Sequence, residues 1–414
     1  MAQGGPMINE EQFRENVRIF LDGHAVARSS TKQASDFESS LSGEDSVDGA
    51  KRFQRAKYDA GLAGLTWPRA YGGQGLSDRY QTIYNDVAAD FITPDSIYTI
   101  GFGMCIPTIL RHGAEELKQR YVSVALQGDE IWCQMFSEPS AGSDVAGLHS
   151  KAELDGDVWV LTGQKVWTTQ AHRCRFGIVL ARTNPDVPKH KGLSMFVLDM
   201  RAPGVIIRPL KQMNGGSSFN EIFFDEVRIP VNHILGDPGE GWNVALTTLM
   251  NERVAIGAGR SSEEGSPLAP IQLHLDIAEK RGLRSDALVR QELVELFIRF
   301  RVLELLGLRI RSTIAAGGVP GPEGSVAKLA GALLARRSSD VAARIAGPTA
   351  IAFDGRDHDG ERVSQMVLTA PAGAIAGGTS EIMRNILGER VLGLPREPSV
   401  DREMAFRDIP RGQK

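Results

Sequence analysis

Cysteine is scarce in this chain. Its 414 residues include three, Cys105, Cys133 and Cys174. They are too few for a disulfide framework and lack metal-ligand spacing. Neither a stapled secreted domain nor a metal module is expected, and a reducing, cytoplasmic setting is. An excess of charge of one sign is also missing: 47 Lys and Arg against 51 Asp and Glu leave a formal charge of −4. That balance argues against nucleic acid as a partner, because phosphate binding shows as a basic excess. No run of 18 apolar residues occurs, so no membrane span is expected. Met1 to Glu10 lacks a basic stretch followed by an apolar one, so no signal peptide is expected either. Internal repeats and extended low-complexity segments are absent. What remains is ordinary globular composition, 42% apolar and 24% charged, with glycine plentiful at 45 residues. The length suggests two or three domains and a large core.

The hydrophobic period changes twice along the chain. Glu10–Leu21, with Phe13, Val17, Phe20 and Leu21, reads as a helix, as do Val47–Leu62 and Ala114–Gln127. Ala25–Glu44 is polar and Ser-rich and reads as a loop, and so does Trp67–Gly75, which Pro68 and three glycines crowd. From Ile131 to Ile234 short β-like runs take over: Val158–Leu161 after the Asp155-Gly156 turn, Gly177–Leu180, Ser194–Leu198, Val205–Ile207 and Glu221–Phe224. Their spacing suggests a compact antiparallel barrel or sandwich. Helical patterns then return over Trp242–Ala258, Asp286–Ile314, Ser325–Ile345 and Thr379–Leu392, the last closed by Gly393 and Pro395. The class is α+β, with expected domains at residues 1–130, 131–240 and 241–414.

Four constellations could carry chemistry. Met135-Phe136-Ser137-Glu138-Pro139-Ser140-Ala141-Gly142-Ser143-Asp144 is a turn rich in hydroxyls and free N–H groups that could bond a polar heterocycle or a phosphate; it could equally be a common Ser/Pro/Gly loop. Gly163-Gln164-Lys165-Val166-Trp167-Thr168-Thr169 ends a strand with an indole and two hydroxyls. It would suit a ring system, but a core Trp is the commoner use. Glu252-Arg253 sits in an apolar helix. Glu252 neighbours Thr248, Leu249, Ala255 and Ile256, none cationic, and Arg253 has no anionic neighbour on the helix. A carboxylate in apolar surroundings suits a general base, and a cross-helix ion pair is the structural alternative. Gly377-Gly378-Thr379-Ser380-Glu381-Ile382-Met383-Arg384 opens a helix with two glycines and two hydroxyls. It offers either an anion site or plain N-capping.

In order and spacing the four together resemble the acyl-CoA dehydrogenase family of flavoenzymes, over nearly the whole chain. The most specific segments are Ser137-Glu138-Pro139 with Ala141–Asp144, Lys165–Thr169, and Gly378–Ile382. The resemblance implies an N-terminal α-helical domain, a central antiparallel β-barrel and a C-terminal four-helix bundle. It implies FAD as cofactor, acyl-CoA as substrate, an electron-transfer flavoprotein as acceptor, and a role in lipid metabolism. Carried over, Met135, Phe136 and Ser137 would face the pyrimidine side of the flavin. Trp167 and Thr168 would lie against the isoalloxazine, with the Thr169 hydroxyl near N5. Gly142 and Ser143 would sit where FAD and the CoA chain meet. Gly378, Thr379 and Glu381 would border the ribityl and phosphate region, and Arg253 and Arg384 would contact CoA or cofactor. A base would take the α-proton of the thioester while the β-hydride moves to flavin N5.

Two departures from the family pattern stand out. The residue before Gly-Thr-Ser is usually the catalytic Glu; here it is Gly377, whose N–H could still donate to the thioester carbonyl. A smaller group, including isovaleryl- and long-chain acyl-CoA dehydrogenases and many actinobacterial steroid- and lipid-degrading members, carries the base on the earlier helix. Glu252 holds that position. Family members also use Arg-x-x-Phe-Gly and Gln-x-x-Gly-Gly segments to bind a neighbouring subunit's FAD. Here these read Ala278-Glu279-Lys280-Arg281-Gly282-Leu283-Arg284 and Arg344-Ile345-Ala346-Gly347-Pro348. The expectation is therefore a tetramer, either an α2β2 heteromer whose second family member supplies the missing half, or a homo-oligomer using Arg281 or Arg284. An acyl-CoA oxidase-like flavoenzyme and a non-catalytic structural subunit are the competing functions.

Overall fold

The computed structural model describes residues 9–28, 45–257, 268–315, 318, 321, 323–352 and 358–410. Contacts divide the chain into two compact units. One takes in the described residues up to Gln212, Ser217–Glu252 and the chain from Glu397 on; the other takes in Met213–Gly216 and Arg253–Arg396.

The first unit opens with helices α1 (Glu10–His24), α2 (Asp45–Asp59) and α3 (Asp78–Ala88). Asn9 caps α1 by accepting from the Glu11 N–H at 2.9 Å. Phe13, Val17, Phe20 and Leu21 recur at helical spacing and bury against Phe53, Leu65, Ile83 and Val87. Two-residue strands β1 (Val26–Ala27) and β2 (Phe91–Ile92) pair in antiparallel fashion beside them. Most of the expected 25–44 loop lies outside the described residues. A π-turn at Gly101–Cys105 leads into α4 (Ile106–His112) and α5 (Glu115–Leu126).

The β region comprises β3 (Trp132–Met135), β4 (Lys151–Asp155), β5 (Val158–Thr169), β6 (Phe176–Arg182), β7 (Leu193–Asp199), β8 (Val205–Pro209), β9 (Phe219–Pro230) and β10 (Ile234–Leu235). Their order is β10-β7-β6-β4-β5-β9-β8, with β3 beside β6. The expected antiparallel barrel is thus an open, mixed sheet: β3 and β4 both pair with β6 in parallel. Strand periodicity reveals which face is buried but not which neighbour a strand takes. Here β3 enters directly from the helical region and lies along β6 without a hairpin. All seven residues of β6 are buried. Ile178 and Leu180 face the helices with Ile106, Tyr121 and Trp132, while Val179 and Ala181 face Leu161, Phe196 and Ile222. A strand covered on both sides reads as a continuous apolar run, as this one does.

Helix α6 (Gly241–Gly257) follows the sheet, with Val244 and Ala245 in the same core. The second unit is helical, built from α7 (Gln272–Lys280), α8 (Ala287–Ala315), α9 (Glu323–Ala346), α10 (His358–Gly373) and α11 (Ser380–Arg390). Leu293, Leu296, Leu334, Val341, Ile345 and Val363 form its core. Helices α7 and α10, and α3 and α4 in the first unit, add to the helical segments expected from the sequence.

Strand β5 departs twice from regular pairing with β9. Leu161 faces Val227 but Gly163 faces Phe224, which puts an extra residue in β9; Lys165 faces Ile222 but Thr168 faces Asn220, which puts one in β5. Gly163 has φ +148°, and a Cβ there would lie 2.4 Å from the Ser150 hydroxyl oxygen and 2.6 Å from Ser150 Cα. Gly163→Ala is expected to destabilise the protein by about 2 kcal/mol or more, through strain and displacement of β4. An unchanged denaturant midpoint would contradict this.

Candidate active site

Two polypeptide corners meet in the first unit. After β3 the chain turns tightly: Glu138 and Ala141 exchange N–H···O bonds of 3.0 Å in each direction. Met135 and Phe136 are buried beneath the turn, Ser137 is half-buried, and Gly142 and Ser143 are exposed. The end of β5 lies alongside, the Val166 N–H donating to the Ser137 carbonyl at 2.9 Å.

One ion pair fastens them. The Lys165 ammonium is fully buried and donates to Glu138 Oε1 at 2.9 Å and to the Phe136 carbonyl at 3.0 Å. Glu138 also accepts the backbone N–H groups of His149 at 2.6 Å and Ser150 at 2.9 Å. Burial pushes the Glu138 carboxyl up, but the Lys165 charge and these hydrogen bonds outweigh it and hold the group below the usual carboxylate range. At Lys165 the balance goes the other way, and burial draws the ammonium down despite Glu138. Two oxygens within 3.0 Å of its nitrogen are the geometry of a charged donor, so the pair is ionic.

The β5 bulge turns Trp167 outward. Trp167 has φ +61°, a left-handed conformation that costs a non-glycine residue about 1–2 kcal/mol. Its indole is 60% exposed and meets Phe219 edge-on at 6.0 Å. The next residue, Thr168, is buried, and its hydroxyl has no partner among the described residues. Asn220 steadies this end: its Nδ2 donates to the Thr168 carbonyl at 3.0 Å and its Oδ1 lies 2.9 Å from His172 Nδ1. The hydroxyls of Ser137, Ser143 and Thr169 make no hydrogen bond among the described residues. An outward indole amid unspent hydroxyls fits a planar, polar ring system such as a flavin.

The glycine-rich corner belongs to the second unit. Gly377 (φ +66°) and Gly378 (φ +94°) are both left-handed. A Cβ on Gly378 would come within 2.6 Å of Met383 Cε. Thr379 caps α11, its hydroxyl accepting from the Ile382 N–H at 3.2 Å, so capping is the use the structure shows for it. Glu381 and Arg384 are exposed and paired at 3.4 Å. The buried Lys328 donates to the Gly378 carbonyl. The sequence assigns no role to Lys328, and none to Glu138 beyond its place in the Ser137-Glu138-Pro139 segment; the signals available were a lysine in an Ala-rich helix and a carboxylate beside proline.

Glu252 and Arg253 fall on α6, one helical turn beyond Thr248. Their side chains lie outside the described residues. Thr248 is buried, 2.9 Å from the Thr108 hydroxyl, which anchors that helix to α4. Among the described residues no group of His, Cys, Asp or Glu could hold a metal ion, and no helix is long and apolar enough to cross a membrane. The three cysteines are free and buried, and burial raises the Cys105 and Cys174 thiols well above their usual range. A cavity of about 330 Å³ at the other end of β3, lined by Lys51, Asp129, Glu130, Ile131, Arg173, Arg175 and Arg201, contains none of the expected site residues.

Three family profiles match the chain: acyl-CoA dehydrogenase, N-terminal domain over residues 9–129, middle domain over 133–227 and C-terminal domain over 239–392. The chain belongs to the acyl-CoA dehydrogenase family. It is an oxidoreductase of that kind, with relatives among mycobacterial members. It is 39% identical to acyl-CoA dehydrogenase FadE34 of Mycobacterium tuberculosis over 83% of this chain, although the match spans only 46% of that relative. It is 33% identical to acyl-CoA dehydrogenase IpdE1 of Mycolicibacterium smegmatis over 94% of this chain and 99% of that one. Among solved structures, the ChsE4-ChsE5 complex from Mycobacterium tuberculosis is similar at 27% identity and TM-score 0.76, covering 96% of this chain and all of that one. The Tcur3481-Tcur3483 steroid ACAD shares the fold at 24% identity and TM-score 0.79, covering 96% and 100%.

The acid behaviour of this acyl-CoA dehydrogenase follows from Glu138. A folded-state pKa below the unfolded value of 4.5 contributes stability that is complete above that value. It is lost as pH falls through the folded pKa. Glu138→Gln is expected to flatten the fall of the thermal midpoint as pH drops below 4.5. Lys165→Met, which strands a buried carboxylate, is expected to cost about 3–5 kcal/mol at pH 7. Parallel pH profiles for Glu138→Gln and the parent would remove Glu138 as the source.

Proposed function

We propose that the chain dehydrogenates an acyl-CoA thioester between its α and β carbons, with Glu252 as the α-proton base. The observation that carries the cofactor half of this reading is the Ser137–Trp167 corner. An aromatic residue held outward in a strained conformation, near hydroxyls without partners among the described residues, suits a bound isoalloxazine. FAD, when bound, supplies the acceptor for the β-hydride. The chain's own work is then to seat and activate. Ser137 and Thr169 donate toward the ring, Ser143 meets the CoA chain, and the Gly377 N–H donates to the thioester carbonyl and acidifies the α-carbon. Met135, Phe136, Gly142 and Thr168 shape the cofactor side; Gly378, Thr379 and Glu381 border its ribityl and phosphate; Arg253 and Arg384 meet CoA.

Glu252 is chosen because Gly377 has no side chain and no carboxylate precedes Gly378-Thr379. Glu252→Gln is expected to lower the rate of anaerobic flavin bleaching by substrate by at least about 10²-fold. Retention of most of that rate would sink the assignment. Steroid-side-chain and branched acyl groups are the substrates to test first, because similar solved structures include a protein titled a steroid ACAD.

We further infer an α2β2 assembly with a second family member and an electron-transfer flavoprotein as acceptor. In the second unit Arg281, in the first segment that departs from the family's FAD-sharing pattern, donates to Thr349, the residue that follows the second. Two similar structures are of paired proteins, Tcur3481-Tcur3483 and ChsE4-ChsE5. Expressed alone, the chain is expected to hold little FAD, and co-expression with its partner is expected to restore it. Full, tight occupancy in a homo-oligomer would overturn this.

A further inference from the structure

The chain beyond Arg396 leaves the helical unit and returns to the sheet. Ala405 bridges Pro188, the Phe406 N–H donates to Val187 O at 3.0 Å, and the Arg407 N–H donates to Pro185 O at 3.0 Å. Arg407 also pairs with Asp186. This tail closes over two cations, and both cations hold the turn that carries Ser143 and Asp144.

Lys189 is the first. Its ammonium lies 2.8 Å from Asp144 Oδ2 and 2.7 Å from Asp401 Oδ2, so one lysine ties the turn's first carboxylate to the tail. Hydrogen bonds from Lys189 and Ser399 lower the Asp401 carboxyl to about 2, so the bridge stays ionic across the working range of pH. Arg182 is the second. It is buried and gathers three carbonyls, Ala146 at 2.5 Å, Lys189 at 3.1 Å and Leu148 at 3.3 Å. The Phe406 ring covers its guanidinium at 3.5 Å, and Phe406 is 7% exposed. Exclusion of water strengthens each of those hydrogen bonds. The far end of the same turn, at His149 and Ser150, is held by Glu138. Gly142 and Ser143, at the near end of the turn, make none of these contacts, and Gly142 has open space around it.

We propose that Glu397–Pro410 is a positioning element of the acyl-CoA site: through Asp401–Lys189 and Phe406–Arg182 it holds the Gly142–Leu148 turn in the form that presents Ser143 to the ligand. The proposal rests on the reading of Ser143 given above. Its test is made in the full-length chain. Phe406→Ala is expected to speed amide hydrogen exchange across Gly142–Leu148 about tenfold or more, with Phe406→Tyr restoring protection. In the FAD-loaded assembly the same variant is expected to raise KM for acyl-CoA about tenfold with kcat within about twofold, as a loss of ground-state positioning should. Asp401→Asn, at a partly exposed site, should move both readouts in the same direction. Unchanged exchange and KM in Asp401→Asn and Phe406→Ala would overturn the proposal. Ser143→Ala separates the two readings. If it leaves KM unchanged while the tail variants still speed exchange, the tail braces the turn but Ser143 is not the contact, and the proposal falls through the site assignment.

Discussion

The buried contact between Lys165 and Glu138 is the constraint from which the first unit's site is built. Neither charge could be tolerated alone in that position, since an isolated buried ion costs several kcal/mol. Together they bind each other and three main-chain groups, and so join three stretches of chain: the turn after β3, the start of β4 and the end of β5. A hydrophobic pair of the same volume would pack as well but would leave the Phe136 carbonyl and the His149 and Ser150 N–H groups unsatisfied. What the ion pair contributes is direction. It fixes where Ser137 stands relative to Trp167, which packing alone does not specify.

Much of this was legible in the sequence, and the parts that were not share a cause. The helices Glu10–His24 and Glu323–Ala346 and the strands β5, β6 and β7 show in hydrophobic period, because burial on a regular element forces a regular pattern. The family motifs were equally plain, since Ser137, Trp167, Thr169 and Thr379 sit in segments of fixed spacing. Strand partners were not legible: β3 lying parallel to β6 is a long-range choice that no local pattern records. Lys328 and Lys189 were hidden too. A lysine in a helix or loop reads as surface, and only the fold shows the carbonyl or carboxylates that each one meets. His190 and His233 are hidden in the same way: in sequence they are polar residues in or beside loops, and in the fold both are half-buried, packed edge-on against Trp242 and Tyr121.

The two units use the same device independently. In each, a buried lysine takes the carbonyl of a residue in a polar turn: Phe136 in one case and Gly378 in the other. Long flexible side chains are costly to immobilise, so each is a substantial entropic commitment. Both turns carry residues that the family resemblance assigns to cofactor, and rigid support of such turns is what precise positioning of a ligand demands.

The outward Trp167 owes its exposure to arithmetic. Along β5 the buried positions run through Trp159, Leu161 and Lys165, all odd, and then jump to Thr168. One surplus residue against β9 makes the jump. The bulge in this strand therefore matters as much as the identity of its residues. A lineage could exchange many of these side chains one at a time, but straightening the bulge at constant length would put Trp167 on the face of Lys165, turning the indole toward the core and the Thr168 hydroxyl out to solvent. What must be kept in such a strand is an irregularity, and any change that relaxes it into regular pairing exchanges the two faces beyond it.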